Sequence, residues 1–530
     1  MNSFERKELK RSQARGNKWK QKAIIRNKQL RLEKLANRDL ARSRQRWQEK
    51  YFDIQRLSQS SQSLPVPQVE RQIDSKQLHL IMISICINLT VNCSVSFRSV
   101  PKILTLIADL FQQLAIPFQI KIPHFTTVIN WTLRVGKYLL DRPSSPLLRP
   151  WICIVDHTIQ VGTKKAFVVL KVPHENLKPH GALTLKEVEV LYLKVQETCN
   201  GVIVSELLQD LFQKVGYPSQ IVMDGGPDLN KGVRLLIEMA GKPLKVTYDV
   251  THLIASLLKK KYQHHSLFNQ LLADLSKTRN ALQQTALAYL LPITGRAKAR
   301  FLNLPSIAEW TKKILSLLDT IEPYRHQESE QQKIIHTFEW LLEFKDFLQD
   351  FWVEIQMLTQ LQKLLKTTTL NDLSYKKALT LIAQIPDRTL QAPLLDYLKT
   401  EFEFAKNTPH PILLTSDIIE SLFGKYKYIA KPHAMSELNR MVLLLPTICE
   451  PITPELIEEA FNRTPHQQVT EWLHNEIGDT LLSKRKALLT KETQEKHQKA
   501  QLIPFPKPYQ IVNEDDGHGQ KTAEQAQALG

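Results

Sequence analysis

The chain has 530 residues, enough for about three to four domains at roughly 100–200 residues each. Its formal net charge of +18 and pI near 9.5 favour a polyanionic partner, and 42% hydrophobic residues suffice for a sizeable core. The composition speaks against a membrane protein: the longest apolar run, Leu80 to Ile87, falls far short of the ~20 residues of a spanning helix, and Asn88 and Asn92 interrupt any extension of it. The basic N-terminus has no apolar segment, so no secretory signal is expected. Five cysteines (Cys86, Cys93, Cys153, Cys199 and Cys449) form no CxxC and are odd in number. They predict neither a disulfide framework nor a zinc knuckle but small core residues in a reducing compartment. A cytoplasmic, nucleoid-associated protein is expected, or a nuclear one if the host is eukaryotic.

The first 56 residues hold 18 Lys/Arg against 6 Asp/Glu, two thirds of the whole positive excess. Residues 1–57 predict a basic helical arm for DNA or a partner, with a solvated tail as the alternative. Residues 58–75, opening with SQSSQSLPVPQ, read as a linker. The block 76–145 is helical. Ser99 to Leu114 has apolar residues at helical spacing, and Thr126 or Thr127 would cap a second helix running to Leu140. That pair predicts a helix-turn-helix-like DNA-binding domain whose second helix offers Asn130, Arg134 and Lys137; a plain helical pair is the alternative.

The pattern changes after Pro150. WICIVDHTIQVG, KAFVVLKVP and EVEVLYLKVQ are three successive strand-like runs. A helix from Gly201 to Gly216, a short strand QIVMDGG, a helix ending at Gly241 and a strand LKVTYDV come next. Residues 150–255 therefore predict a mixed sheet in which the first and fourth strands can be neighbours. Asp156 falls inside the first strand, where an unpaired carboxylate is costly to bury. Asp224 ends the fourth, followed by Gly225 and Gly226, which let a ligand approach closely. Two carboxylates side by side raise each other's pKa unless a cation lies between them, and oxygen-only ligands suit Mg²⁺ or Mn²⁺. Asp156 has Lys164 and Lys165 as possible ion-pair partners, and Asp228 competes with Asp224. His157, next to Asp156 in the strand, should point to the opposite face.

Residues 256–410 read helical throughout, broken at Pro292, Pro305, Pro323 and Pro386. Residues 411–445 carry one more helix, about Ser416 to Tyr428, with Glu420 and, one turn earlier, Asp417. Residues 446–530 read as a helical and then disordered tail.

Taken together, three strands, a helix, an Asp-bearing fourth strand, a fifth strand and a late acidic helix resemble the ribonuclease-H-like core of DDE transposases. The resemblance covers about Trp151 to Leu445 and rests on the order of short motifs. It implies an α/β fold, a mixed-sheet ribonuclease-H-like core with a large all-α insertion and an N-terminal helical DNA-binding region. It also implies that Asp156, Asp224 and Glu420 are the catalytic, metal-binding acids. Six residues separate Glu420 from Lys427, a spacing shared with some insertion-sequence transposases, in which the Lys contacts transposon-end DNA. The Tyr and Arg of that group are missing upstream, where Ser416 lies four residues before Glu420. Lys425 and Lys431 are nearby alternatives to Lys427. The run DVTH, Asp249 to His252, resembles the (Cys/Asp)-x-x-His of hAT-type transposases, which also carry an all-helical insertion before the Glu. Here 195 residues lie between Asp224 and Glu420. Relatives stack an insertion Trp on a flipped base; Trp310 is the candidate, with Trp340 and Trp352 as rivals and core packing as the plainer role.

By that resemblance, two Mg²⁺ or Mn²⁺ ions would support phosphodiester cleavage and strand transfer on double-stranded DNA, transposon ends and target alike. A homodimer or higher oligomer is implied, because two DNA ends must meet. The rival expectations are a structure-selective nuclease on the same fold and a catalytically silent DNA-binding protein derived from a transposase.

Overall fold

The computed structural model describes residue 45 and residues 75–114, 121–142, 149–159, 162–178, 180–241, 243–293, 301, 304–326, 330–430 and 437–489. All of the expected basic arm but residue 45, almost all of the linker, Lys431 and the chain after residue 489 lie outside the described residues. Residues from Ser75 on belong to one structural unit.

From Ser75 on, the described residues begin with three helices: α1 (Ser75–Val91), α2 (Ser99–Gln113) and α3 (Phe125–Asp141). The cap of α3 is His124, whose ring accepts from the Thr126 amide, and not a threonine. The sheet then takes the expected order: β1 (Trp151–Ile159), β2 (Lys165–Pro173), β3 (Glu189–Gln196), α4 (Gly201–Val215), β4 (Gln220–Met223), α5 (Pro227–Ala240) and β5 (Lys245–Tyr248). Asn200 caps α4, and Gly241, with φ +60°, ends α5 in the left-handed conformation that glycine adopts without strain. In space the strands run β3-β2-β1-β4-β5. β1 to β3 form an antiparallel meander, while β4 pairs parallel to β1 and β5 parallel to β4. That is the strand order and direction of a ribonuclease-H-like sheet, an α/β core.

Alternation along β1 divides the two faces of the sheet. Trp151, Cys153 and Val155 join Ile221 and Met223 under α4 and α5. Here Gly201 and Gly232 allow close helix packing: a Cβ on Gly232 would sit 2.4 Å from Val204 Cγ1. Ile152 and Ile154 join Val222 on the other face, in one core with α1 to α3 and the helices between residues 417 and 476. Each such aliphatic side chain contributes about 1.5–3 kcal/mol through burial.

The helical excursion spans α6 (Val250–Tyr262), α7 (Ser266–Leu282), α8 (Leu304–Ile321), α9 (Glu330–Phe338), α10 (Lys345–Thr367), α11 (Asp372–Ala383) and α12 (Arg388–Lys406). It has its own core, built from residues between Val250 and Leu414. Its two ends meet. The Val250 amide donates to Leu414 O at 3.0 Å, and the Gln220 side chain exchanges two hydrogen bonds with the Leu413 backbone, at 2.7 and 3.0 Å.

α13 (Asp417–Ala430) packs against β1, and α14 (Leu444–Cys449), α15 (Pro454–Arg463), α16 (His466–Glu476) and α17 (Leu481–Leu489) complete the described chain. Two sequence expectations are corrected here. Ile448, Ile452, Ile457, Ala460, Val469 and Ile477 are buried with the sheet, so the chain is core rather than tail as far as Ile477. The helices of the 76–145 block share that same core, so they do not stand as a separate reading domain. At their centre Gly136 faces Leu443: a Cβ there would lie 1.9 Å from the Leu443 carbonyl oxygen. Alanine would gain about 1 kcal/mol in helix propensity, but a clash with backbone outweighs it. Gly136→Ala is expected to destabilise the protein by about 1–3 kcal/mol, read as a lower urea midpoint; an unchanged or higher midpoint would mean that α3 does not pack on Leu443.

Candidate functional site

Even-numbered positions of β1 face α13, so Asp156 continues the side defined by Ile152 and Ile154. The register pairs Val155 with Met223, which brings the next residues, Asp156 and Asp224, to adjoining ends of parallel neighbours. Asp224 falls on the same face as Val222. Glu420 sits in the first turn of α13, the helix packed on that face. The alternation thus gathers on one side of the sheet three acids that are far apart in sequence.

Burial, first, and then the charge of Asp224 push the Asp156 carboxyl up to about 7. The charge of Glu420 adds to the shift, while the His157 amide, 2.6 Å from Asp156 Oδ1, and His252 oppose it. Asp156 is thus an acid short of positive charge. Asp224 Oδ1 accepts from the Gly226 amide at 3.1 Å. Glu420 is also raised, first by desolvation and against the pull of His252, although its side chain keeps 44% of its surface exposed. That exposure leaves the carboxylate screened by water, and the shift is a minor cost. The competing acids are engaged elsewhere: Asp228 with Lys165 at 3.5 Å, and Asp417 with Lys366 and the Thr251 hydroxyl.

Asp249 links the insertion to this site. It is fully buried and caps α6, with Oδ1 accepting from the His252 amide at 2.9 Å. Its Oδ2 accepts from the Ser416 amide and hydroxyl and from the Thr415 hydroxyl. Burial alone would raise this carboxyl; the hydrogen bonds outweigh it and hold it well below the usual range. His252 Nδ1 lies 3.4 Å from Asp249 Oδ1, a charge contact without hydrogen-bond alignment, and Nε2 lies 3.4 Å from Glu420 Oε1. Pairing with Asp249, followed by the charges of Glu420 and Asp224, holds the imidazole protonated up to about 9 against the effect of burial. The DVTH motif pointed to Asp249 and His252 but not to Thr415 and Ser416. Their place ahead of an apolar run signals a helix start, yet nothing local says that both hydroxyls go to Asp249.

The expected DNA-contacting residues divide. Lys427 is exposed on α13, two turns beyond Glu420, and Asn130 is partly buried on α3. Arg134 is instead committed inside the protein: it donates to the Phe461 and Thr464 carbonyls and lies over the Phe461 ring at 4.4 Å. Lys137 is buried and paired with Asp141. Trp310 is 9% exposed, donates to Leu290 O at 3.3 Å and packs edge-on against Phe338. Arg134 and Lys137 were expected to face DNA, but Arg134 ties α3 to α15 and Lys137 pairs within its own helix, while Trp310 takes the core packing that was its plainer role. His157 does point away from the acids, to Cys199 Sγ at 2.9 Å and the Phe167 ring. The five cysteines are free, with Cys93 alone exposed.

Two of the acids fit a hard divalent cation: Asp156 and Asp224 adjoin, carry only oxygen donors and, among the described residues, have the charge of His252 nearby but no direct ion pair. The third is in electrostatic reach but turned to His252. Among the described residues no three His, Cys, Asp or Glu side chains form a preassembled metal cluster. No described helix is long and apolar enough to cross a membrane.

No protein-family model matches the chain, and no curated protein matches it. Chains of solved structures do, among them one from the Drosophila P element transposase strand transfer complex. It is 13% identical, with 74% of this chain and 98% of that chain covered, at a TM-score of 0.35. At that score the likeness decides nothing about function, and the strand order and the acids on the α13 face are what characterise this chain.

Proposed function

We propose that this protein is a DNA transposase of a mobile element, acting by divalent-metal-assisted phosphodiester cleavage and strand transfer. One observation carries the reading: Asp156 and Asp224 adjoin at the ends of parallel strands, on the face that receives the helix bearing Glu420. Asp156 and Asp224 would hold Mg²⁺ or Mn²⁺, with Glu420 joining on release from His252. A cation held there would help activate a hydroxyl nucleophile and stabilise the leaving oxygen at phosphorus. The chain's own groups do the rest. Asp249 fixes the first turn of α13 and orients His252. The His252 imidazolium, beside Glu420, compensates negative charge as a phosphate enters. Lys427, exposed along the same helix, would meet the DNA backbone. Two copies acting together would bring two DNA ends into register.

Metal binding can be read without activity. A group whose folded pKa is raised contributes stability that is full below its unfolded value, about 3.9, and lost as pH rises through about 7. Without a cation, Asp156 therefore weakens the fold at pH 8 more than at pH 6. Mg²⁺ is expected to raise Tm by a few degrees at pH 8 and less at pH 6, by mass action on the folded state, and the increment should vanish in Asp156→Asn. Equal increments in both proteins would place the cation elsewhere.

The contact of Glu420 with His252 favours one alternative, a DNA-binding protein derived from a transposase and no longer catalytic. Nicking of supercoiled plasmid with Mg²⁺ decides between them: nicking that depends on Asp156 supports the enzyme, and binding without nicking supports the silent protein.

A further inference from the structure

Beside the acids, on the opposite face of the sheet, a groove of about 520 Å³ runs between α5 and β5. That volume is in the range of about 300–1,000 Å³ typical of ligand sites. Met223, Val246 and Tyr248 form part of its lining, with Asn230, Lys231 and Arg234 from α5. Met223 immediately precedes Asp224 and pairs in register with Tyr248, so one end of the groove opens a single residue from the carboxylate pair.

We propose that this groove receives an unstacked base of the DNA strand flanking the cleavage site, stacked on Tyr248 with its backbone on Lys231 and Arg234. The proposal rests on DNA being the ligand, as in the proposed function, and adds where the flanking strand goes. Two features favour a nucleotide over an apolar peptide. Tyr248 is 45% exposed, while its carbonyl is held by the Tyr397 hydroxyl at 2.8 Å, so an aromatic face is presented on an anchored backbone. Lys231 and Arg234 stand three residues apart on one helix face. Arg234 is 72% exposed and its nearest carboxylate, Glu238, is 3.9 Å away, too far to occupy its donors. An aromatic platform flanked by cations is how single strands are held without regard to sequence.

The test uses the full-length chain with Asp156→Asn, so that DNA is bound and not cut. The probes are a blunt duplex and the same duplex with a single-stranded thymidine overhang carrying 5-iodouracil. The overhang is expected to bind about tenfold tighter than the blunt end, the scale of one base stacked on an aromatic ring. Irradiation should crosslink it to the peptide containing Tyr248. Tyr248→Leu, which keeps an apolar lining, should remove both the preference and the crosslink. Arg234→Gln should weaken overhang binding and lower its salt dependence by about one phosphate contact. Equal affinity for the two probes, a preference that survives Tyr248→Leu, or crosslinks that map to other peptides would each overturn the groove assignment, as would a chain that binds no DNA. Plasmid nicking by the unmodified chain separates the two ideas. Nicking without an overhang preference removes the groove alone. An overhang preference without nicking leaves the groove and removes the enzyme.

Discussion

Asp156→Asn is expected to lower Mg²⁺-dependent nicking of supercoiled plasmid by at least about 10³-fold, because a ligand to the reacting cation is worth several kcal/mol and each 1.36 kcal/mol is about tenfold in rate. Asp224→Asn should match it, since an amide oxygen still accepts from Gly226 while the charge is gone. The fold should survive, and above pH 7 without metal the Asp156 variant should be slightly more stable than the parent. The reason is the sign of the shift: the raised carboxyl loses a proton in the folded state only at a cost, and asparagine never has to. Nicking that stays within tenfold of the parent would remove Asp156 from the chemistry, whatever happened to stability.

The second large effect falls on Asp249. Asp249→Ala would leave the Ser416 amide and hydroxyl, the Thr415 hydroxyl and the His252 amide without their acceptor in a buried place. Removing one member of a buried charged network costs about 3–5 kcal/mol, enough to lower the urea midpoint clearly with m unchanged. Asp249 is held below its usual range, so its stabilisation is present above the unfolded value of about 3.9 and lost as pH falls through the folded one. His252 runs the other way: its contribution is full below about 6.5 and lost as pH rises through about 9. The parent should therefore lose stability in acid and again near pH 9, and Asp249→Ala should flatten both limbs. A variant with the parent's midpoint and pH profile would mean that Asp249 does not fasten the insertion to α13.

Much of this arrangement was legible in the chain because it obeys short periods. Strand alternation fixes which side Asp156 takes, and the Asp-Gly-Gly run marks where β4 stops. The element types gave a mixed sheet, and the ribonuclease-H-like order followed from the family resemblance of their succession. The choice of Glu420 over Asp417 rested on spacing; in the structure Asp417 is taken by Lys366 and Thr251 while Glu420 faces His252. Long-range partners escaped the sequence. Arg134 looks like a DNA-reading arginine until Phe461 and Thr464, more than 300 residues on, supply its carbonyls. Lys137 looks the same, and although its partner Asp141 is only one helical turn on, the burial of that face comes from helices distant in sequence. Trp310 has a helical neighbourhood like those of Trp340 and Trp352, and only the packed core shows that its ring is spent on Phe338. The packing of the last helices into the core was missed because buried residues are sparse there, two in α15 and one in α16, too few to set a period against the polar background.

The joined ends of the helical excursion bear on how such a chain can change over evolutionary time. Residues 250–414 leave the sheet and rejoin it at the neighbouring pair Val250 and Leu414, with further ties to β5 through Tyr397 and Glu401, so length added elsewhere in the excursion is nearly invisible to the strands below. Lengthening a closed loop costs only about 0.6 kcal/mol per doubling. The excursion can therefore be trimmed or elaborated as a cassette, provided that Gln220 still grips residue 413, Tyr397 and Glu401 still reach β5, and Asp249 still finds Thr415 and Ser416. Those few polar grips, and not the bulk of the helices they anchor, are the part of the architecture that later variants of this chain must keep.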